Sequence, residues 1–290
     1  MQTRKQRSAM TFSTLVSADT LSQHLDDPNW VVIDCRHDLA NPDAGRAAYD
    51  EAHIPHARFA HLDHDLAGPT VGEDGAFRGR HPLPAQEGFI DTLRSWGIHD
   101  DTQVVVYDAH GGMFAARLWW MLRWVGHKAV ATLDGGWQAW LAGKHPVATE
   151  PSSGSGGTLG LRAPLTKTVG VGDVMRNLLD NQRTLVDARA PDRFRGENET
   201  IDPVGGHIPG AINRFFKDNL QPDGRFKSSE QLREEWQALI NDPQQAIMQC
   251  GSGVTACHNL LALEIAGLSG AALYPGSWSE WCADAKRPVA

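Results

Sequence analysis

Short continuous apolar runs alternate along this chain with stretches of helical period. Val31-Val32-Ile33 and Val104-Val105-Val106 in the first half, and Ala246-Ile247-Met248 in the second, have no polar residue between their apolar ones. Such runs indicate strands buried on both faces, as in parallel sheets. Residues 114–124 and 229–240 instead space their apolar side chains as an amphipathic helix does. The alternation predicts an α/β chain of mostly parallel sheets with helices on both faces. Near the end, residues 246–249 read as a buried strand and residues 254–266 as the helix that leaves it.

The pattern also repeats. Val31-Val32-Ile33-Asp34-Cys35-Arg36, His53-Ile54-Pro55-His56-Ala57, Val104-Val105-Val106-Tyr107-Asp108 and Gly135-Gly136-Trp137-Gln138-Ala139-Trp140 are answered, in the same order, by a second set. That set is Leu185-Val186-Asp187-Ala188-Arg189, His207-Ile208-Pro209-Gly210-Ala211, Ala246-Ile247-Met248-Gln249-Cys250 and Gly276-Ser277-Trp278-Ser279-Glu280-Trp281. Solenoid repeats are roughly 20–50 residues long, whereas these units are several times longer, so two similar domains are expected. The Gly/Ser-rich stretch Glu150-Pro151-Ser152-Ser153-Gly154-Ser155-Gly156-Gly157 has linker composition and places the boundary near Gly156. The domains are expected at residues 14–149 and 161–290.

The 290 residues are 41% hydrophobic and 21% charged, enough apolar material for a substantial core. A net charge of −8 argues against general affinity for nucleic acid or anionic membrane, so any anion site must be local. No apolar run approaches the ~18 residues of a membrane span, and the basic start Arg4-Lys5-Gln6-Arg7 precedes polar sequence, which makes the cytoplasm the expected location. Met10 is an alternative start of translation. Cys35, Cys250, Cys257 and Cys282 have no metal-ligand spacing and, in a reducing compartment, no expected disulfide pairing. Nothing supports a metal or an organic cofactor.

Cys250 stands out among the four. It ends the apolar run, and Gly251-Ser252-Gly253-Val254-Thr255 follows before the helical pattern begins. A nucleophile at the carboxyl end of a parallel strand lies where open α/β sheets place their ligands. Backbone amides of such a loop and the positive end of the next helix favour a thiolate, the reactive form of cysteine. A cysteine phosphatase would need an arginine about six residues later to clamp phosphoryl oxygens. Ala256 stands there, so that chemistry is excluded.

His-Ile-Pro-Gly-Ala at 207–211, Cys-Gly-Ser-Gly-Val-Thr-Ala at 250–256 and Gly-Ser-Trp-Ser-Glu-Trp at 276–281 resemble the tandem-domain rhodanese-type sulfurtransferases, in particular the branch acting on 3-mercaptopyruvate. The resemblance covers the chain from about Thr14 and implies two rhodanese-like domains, with a persulfide carried on Cys250 of the second. Asp108 occupies the position answering to Cys250, and a carboxylate cannot carry sulfane sulfur, so the first domain is expected to be inactive. Thiosulfate-specific relatives place basic residues directly after the cysteine. Here Gly251 and Ser252 make that part of the loop neutral, which suits a monocarboxylate.

The resemblance further implies Arg193 as the carboxylate ligand, the loop residues Gly251, Ser252, Gly253, Val254 and Thr255 around the transferred sulfur, and proton handling by Ser252 with His81 and Asp63 of the first domain. Glycines 251 and 253 are expected to admit backbone amides to that sulfur. In the mercaptopyruvate branch a second arginine precedes the His-Ile-Pro-Gly element, but Glu199-Thr200-Ile201-Asp202-Pro203 contains no basic residue. Arg195 is the available substitute, set against a surface role. The sulfur acceptor is expected to be a thiol, such as thioredoxin or a small thiol, or cyanide. Thiosulfate sulfurtransferase and a non-enzymatic persulfide carrier are the alternatives. His53 and His207, which recur in both halves, are read as structural, and Trp137, Trp140, Trp278 and Trp281 as core.

Overall fold

A computed structural model describes residues 11–152, 154 and 156–290. The basic start and Met10 lie outside the described residues, as do Ser153 and Ser155 of the Gly/Ser stretch. Among the described residues, ten strands form two five-stranded sheets. The first contains β1 (Leu15–Val16), β2 (Trp30–Asp34), β3 (Arg58–Phe59), β4 (Gln103–Tyr107) and β5 (Val130–Leu133) in the order β1-β5-β4-β2-β3. The second contains β6 (Lys167–Thr168), β7 (Thr184–Asp187), β8 (Ile212–Asn213), β9 (Ala246–Gln249) and β10 (Ala272–Leu273) in the order β6-β10-β9-β7-β8. All pairings between these strands are parallel. The sequence repeat is therefore a repeat of topology.

The continuous apolar runs occupy the sheet centres. Val104, Val105 and Val106 of β4 are each fully buried, and Ala246, Ile247 and Met248 of β9 likewise. Burying side chains of this size contributes about 1.5–3 kcal/mol per Val, Ile or Met. Asp34 at the end of β2 and Asp187 at the end of β7 mark equivalent corners. Each is paired at 2.7 Å with the arginine two residues on, Arg36 or Arg189. Those guanidiniums lie over Trp137 and Trp278 at 4.6 and 4.8 Å. His53 and His207 stack on Tyr49 and Phe194 and donate from Nδ1 to the carbonyls of those same residues.

The helix at 114–124 is less one-sided than its sequence pattern suggests. In Ala115–Trp124, Ala115 through Leu122 are all buried, Arg117 included, and in Thr255–Ile265 every residue from Ala256 to Leu263 is buried. These two helices pack against each other across the domain boundary, so each is covered by its own sheet on one side and by the other domain on the opposite side. Helix Ser229–Gln237 has no such second partner and buries only Leu232 and Trp236. The connection between domains is also not a free tether. Leu159 is buried, and the amides of Gly157, Leu159, Arg162 and Leu165 bond carbonyls of the first domain.

Arg117 joins the halves further. Its guanidinium donates to the carbonyl of Gly253 at 3.0 Å in the second domain and to those of Leu66 and His81 at 3.1 and 3.0 Å in the first. Burial lowers its pKa from the ordinary arginine value. No helix among the described residues is long and apolar enough to cross a membrane.

Candidate active site

Cys250 follows β9, and its loop is held from below by the segment that opens helix Ser277–Trp281. The Ser277 hydroxyl accepts the Cys250 amide at 3.1 Å, while the Trp278 and Ser279 amides donate to the carbonyls of Cys250 and Gly251 at 3.0 and 2.9 Å. The second of the repeated Gly-x-Trp elements is thus the floor of the loop. Gly253 has φ +78°, and a Cβ there would sit 2.4 Å from the Pro275 carbonyl oxygen. It is the turn itself, not an opening toward sulfur. A Cβ on Gly251 would meet Arg80 Nη2 at 2.9 Å and Arg193 Nη2 at 3.6 Å. That glycine makes room for two guanidiniums, a reason different from the one its sequence suggests.

A cleft of about 130 Å³ opens over Cys250. Gly251, Ser252, Val254 and Thr255 line it, with Arg193, Arg80 and the apolar Met113 and Phe215; Gly253 is not among its walls. Cys250 is the one cysteine there. Burial pushes the thiol of Cys257 up to about 12, and burial also raises those of Cys35 and Cys282, so the other three are held as thiols.

Ser252, His81 and Asp63 form a hydrogen-bonded chain. The Ser252 hydroxyl donates to His81 Nδ1 at 2.7 Å, and His81 Nε2 donates to Asp63 Oδ1 at 3.0 Å. Ser252 and His81 are each 6% exposed. Burial lowers the His81 pKa, the bond to Asp63 opposes that, and Arg117 adds to the lowering. The same bond from His81 pulls the Asp63 pKa below the ordinary carboxylate value. His37, His61 and Asp63 bring donor atoms within 4.8 Å of one another, as a metal would require. Within this group Asp63 Oδ1 accepts from His81, and His61 Nδ1 accepts the Asp63 amide at 3.2 Å.

Arg193 reaches the cleft in the grip of two acids. Its Nη2 contacts Glu199 at 2.9 and 3.0 Å and Asp202 at 3.3 Å, and its Nε contacts Glu199 at 3.2 Å. Arg195 points elsewhere: it pairs with Glu197 at 2.8 Å, and both side chains are more than half exposed. The second guanidinium comes from Arg80 of the first domain, whose Nη1 is bonded to Asp202. Arg80, Glu199 and Asp202 are thus site residues that the sequence reading did not single out. The available signal was the position of Arg80 directly before His81.

In the first domain the loop answering to Cys250 is filled by its own side chain. Asp108 Oδ1 accepts the amides of His110 and Gly112 at 2.7 and 3.0 Å, and Oδ2 those of Phe114 and Ala115 at 2.7 and 2.8 Å. Four amides converging on one anion mark this loop as an anion cradle. At the matching places of the second loop, the amides of Ser252, Val254 and Ala256 have no protein acceptor among the described residues.

Comparison with known proteins agrees with this architecture. The family described as "Rhodanese-like domain" matches residues 17–143 and again 172–284. The chain is 44% identical over 284 residues to a Pseudomonas aeruginosa protein named "Probable 3-mercaptopyruvate sulfurtransferase", covering 97% of this chain and 99% of the relative. It is 36% identical over 282 residues to the "Thiosulfate sulfurtransferase" of Mus musculus, covering 93% and 92%. Among solved structures, a 3-mercaptopyruvate sulfurtransferase from Leishmania major superposes with a TM-score of 0.81 at 29% identity, covering 96% of this chain and 76% of that one. With two matched domains, two parallel sheets of identical strand order and a cysteine loop in the second, this chain belongs to the rhodanese family as a tandem of rhodanese-like domains.

Proposed function

We propose that the protein is a cytoplasmic sulfurtransferase that moves sulfur from 3-mercaptopyruvate through a persulfide on Cys250 to a thiol, such as thioredoxin or a small thiol, or to cyanide, and releases pyruvate. The observation that carries the donor is the pair of guanidiniums meeting over Gly251. Arg80 Nη2 and Arg193 Nη1 have no protein partner among the described residues, and they lie 2.9 and 3.7 Å from where a Cβ of Gly251 would be. A carboxylate between them takes one charge-assisted hydrogen bond from each. Arg80 thereby supplies the second arginine that the 199–203 segment lacks.

The Cys250 thiolate attacks the donor sulfur, the carbon–sulfur bond breaks, and the electron pair leaves on the enolate of pyruvate. The sulfur and its proton stay on the enzyme as Cys–S–SH. The enolate carbon takes a proton from the Ser252 hydroxyl, and the Cys–S–SH proton replaces it, which leaves the persulfide as an anion; neutral His81 orients the hydroxyl through Nδ1. The amides of Ser252, Val254 and Ala256 hold the persulfide anion as their counterparts hold Asp108. An acceptor thiolate or cyanide attacks the outer sulfur and restores the Cys250 thiolate. The first domain, with Asp108 in its cradle, carries no sulfur.

Paired assays test the reading. Mercaptopyruvate with a thiol should yield pyruvate and sulfide much faster than thiosulfate with cyanide yields thiocyanate. The reverse preference would make the protein a thiosulfate sulfurtransferase. One stoichiometric loading without sustained pyruvate release would make it a carrier.

A further inference from the structure

Two cations at the mouth of the cleft are matched by two anions. Glu199 and Asp202 have side chains only 4% and 3% exposed, and each bonds a guanidinium that faces Gly251. Asp202 is the shared member: Oδ2 takes Arg193 of its own domain and Oδ1 takes Arg80 of the other. Glu199 is fixed by the amides of Ile201 and Asp202, both at 2.9 Å. Burial acts to raise its pKa, but the Asp202 amide, the Arg193 guanidinium and the Ile201 amide outweigh burial and hold it below the ordinary value, so it stays charged. Arg189 adds no free charge, because Asp187 neutralises it at 2.7 Å, and its Nη1 also reaches Glu199 at 3.5 Å.

We infer that Asp202, seconded by Glu199, is a specificity-determining residue that fixes the charge of the donor: by cancelling Arg80 and Arg193 it leaves a mouth that admits a monocarboxylate and disfavours a dianion. The inference rests on reading this cleft as the donor site. Two guanidiniums alone would attract a divalent oxyanion of sulfur more strongly than a monocarboxylate, since the Coulomb term scales with ligand charge. With both acids in place the net charge of the four groups is zero, while the unpaired N–H groups of Arg80 and Arg193 still offer directional hydrogen bonds. Selectivity then comes from geometry for a carboxylate and from the absence of excess positive charge for anything more highly charged. The acid at position 202 is thus the counterpart of the missing basic residue in the same segment.

The test uses the full chain carrying Cys250→Ser, which binds without turnover, with sulfate and pyruvate as dianionic and monoanionic probes in titration calorimetry. Asp202→Asn should tighten sulfate about tenfold while pyruvate changes less than about threefold. Glu199→Gln should act in the same direction, and it carries the test if Asp202→Asn does not fold. On the Cys250 enzyme, kcat/KM for thiosulfate relative to mercaptopyruvate should rise by a similar factor. Equal changes for sulfate and pyruvate in both variants would reduce Asp202 to a structural support and overturn the inference. If the unmodified enzyme turned over no mercaptopyruvate, the proposed function would fail, and the sulfate titration would still decide the role of Asp202.

Discussion

The imidazole of His81 accepts a hydrogen bond at 2.7 Å from the hydroxyl of Ser252, although 171 positions separate the two residues. A histidine of the half without a nucleophile thereby serves the loop of the half that has one. The chain from Ser252 through His81 to Asp63 exists only across the domain boundary, so on the proposed function the first domain is a working part of the site.

The pH dependence of that chain has a definite sign. The relay needs neutral His81 as acceptor, and burial moves its pKa below the ordinary histidine value of 6.5. The acid limb of kcat should therefore lie below the ordinary histidine range. Asp63→Asn removes the bond that raises the His81 pKa, so the limb should move lower still, while kcat falls about a hundredfold through loss of the correct tautomer. A pH profile of both enzymes checks this, and an upward shift would contradict it.

Arg80→Ala and Arg193→Ala should each raise KM for mercaptopyruvate about tenfold, the effect expected for one charge-assisted hydrogen bond to a carboxylate. Arg195→Ala should leave kcat and KM unchanged, since its partner Glu197 is exposed and both lie on the surface. Steady-state kinetics on the three variants separates them. Equal losses at Arg193 and Arg195 would show the carboxylate site to be misplaced.

Asp108→Ala should unfold more easily than the parent, by about 3 kcal/mol or more, because four amides lose a buried acceptor at once. Urea denaturation followed by tryptophan fluorescence would measure it. A midpoint equal to that of the parent would mean that water replaces the carboxylate at little cost.

Gly253→Ala should cost about 1–3 kcal/mol in backbone strain at φ +78°, and more where the new Cβ meets the Pro275 carbonyl. The loop has to move to relieve that contact, carrying Cys250 and Ser252 with it. Activity should drop at least tenfold even where the variant folds, and full activity would show that this turn does not position the nucleophile.

The sheets were legible because their central strands carry continuous apolar runs and because the chain states its pattern twice. Cys250 was legible for a similar reason: strand, nucleophile, glycine turn and helix follow one another in a single local stretch. Gly251 and Gly253 were recognised as special but for another cause, since the Arg80 guanidinium and the Pro275 carbonyl come from distant parts of the chain. The helix at 115–124 looked one-sided because periodicity reports a single buried face, whereas the second domain covers the other.

By itself the sequence determined the duplicated α/β pattern, the loop that ends in Cys250, and the inequality between Cys250 and Asp108. Each of these depends on neighbours close in the chain, through periodicity, turn geometry or direct repeat. The tertiary structure alone decided that Arg80 stands beside Arg193 and that Asp202 holds them both. That arrangement joins side chains of two domains through charge and hydrogen bonding across 122 positions, and forces of this kind act on spatial distance, of which spacing along a chain carries no record.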